Sequence, residues 1–260
     1  MRKILLALLL LFPLASIAYP ISGGHNTTTA QPFELTADEL ATDLTDLPKE
    51  VVEAELRPFD PIAHDRSVVV VRHVNDEAFG AGVYIGDGLI LTVAHTALEA
   101  ILAHSPWGAP RVVGYNHLEY LIVETNQGTK AVAQVIWKDT EEDLAILKVL
   151  RRYGFDATIA QIAEEEPARG DAVHVIGHPA GFMWSYTKGN VIKGATEMGL
   201  GTKIYVAAHS TQGGSGGPCF NEKGEVIGVL VAGPRVGSGL LVAPITLFAE
   251  KIKEFRMAEE

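Results

Sequence analysis

Ser215 lies in the stretch TQGGSGGPCF (211–220), where four glycines surround one hydroxyl and Pro218 follows three residues later. A serine hydroxyl is a poor nucleophile until a base takes its proton, and that base is usually a histidine held in one tautomer by a carboxylate. Of the nine histidines, His95 in LILTVAHTA has the fitting context. A β-type run ends there, and Thr92, Ala94 and Thr96 leave space beside the imidazole. The carboxylate is expected from Asp143 in TEEDLAILKV. It stands directly before an apolar strand, so its side chain is expected to turn inward while Glu141 and Glu142 face solvent. Together the three side chains would perform nucleophilic acyl transfer.

The elements that must position them are mostly strands. Short β-branched runs punctuated by glycine are expected as strands at 67–74, 79–86, 89–93, 111–115, 118–125, 130–137, 144–150, 171–177, 185–194, 203–209, 225–232 and 239–243. About twelve such strands with turn signals between them indicate an all-β sandwich or barrel. The last element differs: Ile245, Phe248, Ile252 and Phe255 fall on one helical face, with Pro244 at its start. At the other end, Arg2 and Lys3 precede the apolar run ILLALLLLF, and Ser16-Ile17-Ala18 offers small residues for a cut before Tyr19. Residues 1–18 are therefore expected to be a secretory signal peptide, too short for a comfortable membrane span. Residues 19–66 read as an N-terminal extension, polar and Thr-rich at first. A capping box at Thr36–Glu39 then opens a short amphipathic helix carrying Leu40, Leu44 and Leu47. That helix suits docking on the body or forming a homo-oligomer with a neighbouring subunit.

Composition narrows the class. There are 21 basic against 32 acidic side chains, and removing Arg2 and Lys3 with the leader leaves the chain more acidic still. Such a balance argues against nucleic acid as a partner. The single cysteine, Cys219, allows no internal disulfide in an exported protein, so stability must come from the core. In its glycine-flanked strand Cys219 reads as a small buried hydrophobe rather than a nucleophile.

TVAH, DLAIL and GGSGGP, in the order His, Asp, Ser, resemble the trypsin-like (chymotrypsin-fold) serine endopeptidases. Within them the chain is most similar to the HtrA/DegP-type proteases, sharing the DLAIL form, the IGHPAG turn (176–181), the KGNVIKG strand and the lack of paired cysteines. The resemblance covers about 67–250. It implies two six-stranded antiparallel barrels with a cleft between them, residues 67–260 forming the protease domain. His95 and Asp143 would come from the first barrel and Ser215 from the second. It also implies hydrolysis of polypeptide through an acyl-enzyme, with no metal or other cofactor, in a secreted or periplasmic setting; the few residues after the last helix are expected to leave no room for a PDZ domain. The N–H groups of Gly213 and Ser215 would then form the oxyanion hole. Turning both inward needs dihedrals that glycine accepts, and losing one such donor typically costs about 3–4 kcal/mol of transition-state stabilisation.

By the same resemblance, substrate pairs as an added strand along Leu230, Val231, Ala232 and Gly233, and His209 borders the specificity pocket. His174 and His178 are expected to be structural, since on a strand they would sit far apart for a shared metal. Gly214 occupies the place where the digestive branch of the family carries an aspartate that pairs with a freed N-terminus. Activation by such a terminus is therefore not expected, and control would fall to neighbouring loops such as 194–202. Two alternatives stay open: a non-catalytic peptide-binding module on the same fold, and an HtrA-like chaperone-protease.

Overall fold

Val68, Val69, Val70 and Val71 are all buried, which a strand achieves only when both of its faces are covered. The computed structural model, which describes residues 59–75, 79–105, 108–198, 201–210, 212–233 and 239–258, shows how. In chain order the first strands are β1 (Val68–Arg72), β2 (Phe79–Tyr84), β3 (Leu89–Thr92), β4 (Leu98–Ser105), β5 (Gly108–His117), β6 (Tyr120–Glu124), β7 (Lys130–Asp139) and β8 (Leu144–Val149). Six of them close into a barrel in the order β1-β2-β3-β8-β7-β6, while β4 and β5 form a separate hairpin. The second half holds β9 (Gln161–Ile162), β10 (Ala172–Gly177), β11 (Ser185–Met198), β12 (Gly201–Ala207), β13 (Pro218–Phe220), β14 (Glu225–Ala232) and β15 (Leu240–Pro244). There the order β13-β10-β11-β12-β15-β14 closes through the β13–β14 pairing, with β9 added parallel to β14. Two six-stranded antiparallel barrels result.

Strand alternation sorts the apolar side chains into three cores. Val69, Val71, Ile90, Leu121 and Leu147 fill the first barrel. Val173, Val175, Ile204, Cys219 and Leu230 fill the second. The opposite faces of the same strands, including Val68, Leu89, Leu91, Ile176, Val229 and Val231, meet in a third cluster that joins the barrels. A turn of 3-10 helix at Ile245–Phe248 leads into a helix at Ala249–Met257, and Ile245, Phe248 and Ile252 cap this third cluster. The same helix is strapped to the first barrel where Arg256 Nη2 donates to the Ile85 carbonyl at 2.7 Å.

Most of the expected runs are strands, with corrections, and β4, β9 and β13 fall outside those runs. The run 111–115 lies inside β5 and pairs only with β4, so it belongs to neither barrel. The sixth strand of the second barrel is the three-residue β13, too short to show any periodicity. The segment 194–202 is not a loop: β11 continues to Met198 and β12 begins at Gly201. Register shifts between Val191 and Thr196 bend this hairpin and break its alternation. The signal peptide at 1–18 and the helix proposed at 36–47 lie outside the described residues. Nearer the body, Phe59 stacks between His64 and His174 at ring distances of 4.4 and 4.0 Å, so residues from 59 onward pack with the second barrel.

Phe248 is fully buried where helix and barrels converge, edge-on to Trp137. Phe248→Ala is expected to cost about 3–5 kcal/mol, measured as a lowered urea midpoint.

Candidate active site

His95 stands in the 3-10 turn Ala94–Ala97 that ends β3, and Asp143 is the last residue before β8. Because β3 and β8 are neighbours, with Thr92 opposite Ala145, the two ends emerge side by side. Asp143 adopts φ +57, a left-handed conformation that costs an L-residue on the order of 1 kcal/mol, aspartate being among those that tolerate it. The gain is a two-point grip on His95. One carboxylate oxygen accepts from the His95 backbone N–H at 2.9 Å, and the other faces the ring Nδ1 at 2.6 Å. The Asp143 carbonyl also accepts the Ala94 N–H at 3.2 Å. The ring is thereby oriented with Nδ1 toward the carboxylate and Nε2 left for another partner. Side-chain exposures of 26% for His95 and 17% for Asp143 leave the pair partly accessible.

Ser215 arrives from the second barrel on the turn before β13. Its carbonyl accepts the Ala81 N–H of β2 at 2.7 Å. A Cβ placed on Gly80 would lie 2.6 Å from Thr96 Cγ2 and 2.9 Å from the Ser215 carbonyl. The serine backbone and the residue after His95 therefore converge on one point. Gly216, at φ +83, lies so close to the Ala81 carbonyl and the Thr92 hydroxyl that a Cβ would overlap both. Thr92 is itself fixed, its hydroxyl donating to the Ala81 carbonyl at 2.7 Å.

Gly213 sits at φ +93 with the His178 carbonyl and the Phe79 ring packed against it. Among the described residues no protein acceptor takes the N–H of Gly213 or Ser215, whereas Gly216 and Gly217 donate to Leu230 and Gly214. Two adjacent unclaimed donors beside a serine can hold a developing oxyanion.

Two supports of this turn escaped the sequence. Phe79, under the cation of Arg72 at 5.4 Å, wedges beneath Gly213. His178 does more than fill space. Fully buried, its Nε2 donates to the Val69 carbonyl of the first barrel at 3.2 Å and its Nδ1 accepts the Trp184 N–H at 3.0 Å. With both nitrogens used inside the protein it is a structural residue; His174 uses one, its Nδ1 meeting the Tyr186 hydroxyl at 2.8 Å, while its buried Nε2 has no hydrogen-bond partner among the described residues. The IGHPAG turn signals a bend, but nothing local to it points across to the other barrel.

The remaining candidates divide. Leu230 and Val231 are only 2% and 6% exposed and their side chains belong to cores, so they cannot line a pocket; Leu230 uses its backbone to hold Gly216 and Gly217. Ala232 is half-buried, while Gly233 and His209 are exposed. A Cβ on Gly233 would stand 3.5 Å from both the Leu240 side chain and the Ser210 carbonyl, at ordinary contact distance. Cys219 is buried and desolvation pushes its thiol up, away from thiolate chemistry. Glu142, expected in solvent, is instead paired with Lys203 at 2.9 Å. The reason is tertiary: the β11–β12 hairpin covers it.

A family model described as trypsin-like peptidase domain matches residues 80–229, a span that includes His95, Asp143 and Ser215. A probable periplasmic serine endoprotease, DegP-like, of Rhizobium meliloti (strain 1021) is 37% identical over 111 residues, covering 41% of this chain and 22% of its own. One of the same description from Pseudomonas putida (strain GB-1) is 32% identical over 161 residues, covering 59% and 29%. The chain thus spans less than a third of the length of these relatives. Among solved structures, the serine endoprotease from Yersinia pestis superposes with a TM-score of 0.56 at 26% identity, covering 75% of this chain and 64% of that one. The HtrA-type protease AlgW with a tripeptide superposes at 0.60 with 22% identity, covering 74% and 61%.

Burial holds the His178 pKa down to about 4, from the ordinary 6.5. The unfolded chain takes up that proton near 6.5 and the folded chain only near 4. The stability this residue contributes is therefore complete above about pH 6.5 and is lost as pH falls toward 4, by up to about 3 kcal/mol. His178→Gln keeps a donor for Val69 and removes the titration. Urea midpoints across that window are expected to fall less steeply for the variant; parallel slopes would contradict the assignment.

Proposed function

The chain belongs to the trypsin-like peptidase domain family, and from that premise we propose that it is an exported serine endopeptidase cutting extended polypeptide. The observation that carries this reading is the two-point grip of Asp143 on His95, together with the unclaimed amides of Gly213 and Ser215. In the proposed reaction Ser215 Oγ attacks the scissile carbonyl while His95 Nε2 takes its proton. Asp143 keeps the imidazole in the right tautomer and stabilises its charged form. The N–H groups of Gly213 and Ser215 receive the oxyanion. As the C–N bond breaks, His95 returns the proton to the departing amine and an acyl-enzyme remains. Water, deprotonated by the same histidine, attacks the ester and frees Ser215. No metal or other cofactor takes part.

Substrate is proposed to pair with the backbone of Val231–Gly233 as an added strand, with short apolar side chains before the cut because Leu230, Val231 and Ala232 offer no partner charge. The exposed His209 is the titratable group proposed to border the specificity pocket. Export agrees with the leader at 1–18 and with relatives whose names call them periplasmic. We assign residues 19–66 as the extension and 67–260 as the protease domain.

Ser215→Ala is expected to lower turnover by roughly 10⁶-fold with peptide binding nearly intact, and His95→Ala to do the same without adding to it. A fluorophosphonate probe should label the wild type and not Ser215→Ala. A wild type that stays unlabelled would support a peptide-binding module instead. Cleavage products from a diverse peptide library are expected to show small apolar residues before the cut. A preference for glutamate would assign recognition to His209.

A further inference from the structure

Lys203 has no exposed side-chain surface at all. A buried ammonium is strongly unfavourable unless it is paired and hydrogen-bonded. Here Nζ donates to Glu142 Oε2 at 2.9 Å and to the Thr202 carbonyl at 3.2 Å. The Glu142 carboxylate also accepts the Thr202 N–H, with Oε2 at 2.9 Å and Oε1 at 3.3 Å. Gly201 lies against the same carboxylate, so closely that a Cβ there would overlap it. The other carboxylate nearby, Glu197, is engaged by the Thr202 hydroxyl at 3.1 Å. The start of β12 in the second barrel thus forms a fitted socket for one side chain of the first.

That side chain belongs to the residue immediately before Asp143. The turn carrying both is tied at its start, where Asp139 Oδ1 accepts the N–H groups of Glu141 and Glu142 at 2.9 and 3.0 Å. It is tied at its end by the grip of Asp143 on His95. Between these points Asp143 stands at φ +57, a conformation that persists only where its surroundings over-determine it. The Glu142 socket supplies the restraint on its N-terminal side.

We propose that Glu142 and Lys203 are positioning residues for the His95–Asp143 pair, coupling the β11–β12 hairpin to the orientation of the base. The ion pair holds residue 142, residue 142 holds the left-handed Asp143, and Asp143 aims the imidazole. Displacing the hairpin therefore misaligns the base without touching substrate. This inference rests on the role given to His95 and Asp143 in the proposed function.

The test uses the full chain as Lys203→Met and as the double variant Glu142→Gln/Lys203→Met. The first keeps the stem's volume and leaves Glu142, which is 21% exposed, open to hydration. The second removes both charges, so no buried charge is orphaned, and keeps an acceptor for the Thr202 N–H. In both, kcat for peptide hydrolysis is expected to fall about 10- to 100-fold with KM unchanged. The far-downfield proton resonance of His95 Nδ1–H bound to Asp143 should move upfield or vanish. Folded variants that melt earlier yet keep the wild-type kcat and that resonance overturn the proposal, because a merely structural pair would behave so. The resonance is read without substrate. A wild type that neither hydrolyses peptide nor reacts with the fluorophosphonate therefore strikes the proposed function, while the resonance in the variants still decides this coupling.

Discussion

The Ala81 N–H donates to the Ser215 carbonyl at 2.7 Å, and this backbone bond from one barrel to the other is the constraint on which the site depends. Each barrel satisfies most of its backbone hydrogen bonds within itself, so the barrels join through outward-facing side chains and a few exposed backbone groups. Here the outward faces form a continuous apolar cluster, and the backbone contact falls where Gly80 and Gly216 allow main chains to approach. At either position a side chain would meet the opposite barrel. The glycines around Ser215 thus serve the interface as much as the serine itself.

Polar groups buried along that interface are matched across it. His178 is part of the second barrel and donates to Val69 in the first, and Lys203 is part of the second and pairs with Glu142 in the first. Each of these groups would be costly if its partner moved away, since an orphaned buried donor loses its hydration without compensation. Apolar contact lets two surfaces slide; these matched pairs do not. They fix the relative placement of residues drawn from different barrels, which a site assembled across a cleft requires, where errors of about 1 Å matter.

The same logic separates the histidines. His95 and His178 both lie at strand ends followed by a turn, and both are tied by hydrogen bonds. His178 spends both ring nitrogens on the protein and burial keeps it neutral. His95 spends one on Asp143 and keeps a partly exposed ring. A base needs an available nitrogen facing a reachable space, and of these two residues His95 has one.

By itself the sequence determined the strand-rich class, the terminal apolar helix and the order His95, Asp143, Ser215 in contexts suited to acyl transfer. Those are local properties: alternation, helical spacing and small residues at turns are set within a few positions along the chain. Tertiary structure alone decided the rest. The three-residue β13 exists because β10 and β14 flank it, and so brief a run carries no period of its own. Leu230 and Val231 face cores rather than a pocket because both faces of β14 are covered. Glu142 looks solvent-bound in TEED, yet it is drawn to a lysine 61 positions away, and His178 reaches a carbonyl 109 positions back. Such pairings depend on which strands the closed barrels bring face to face, and separation along the chain contains no record of that.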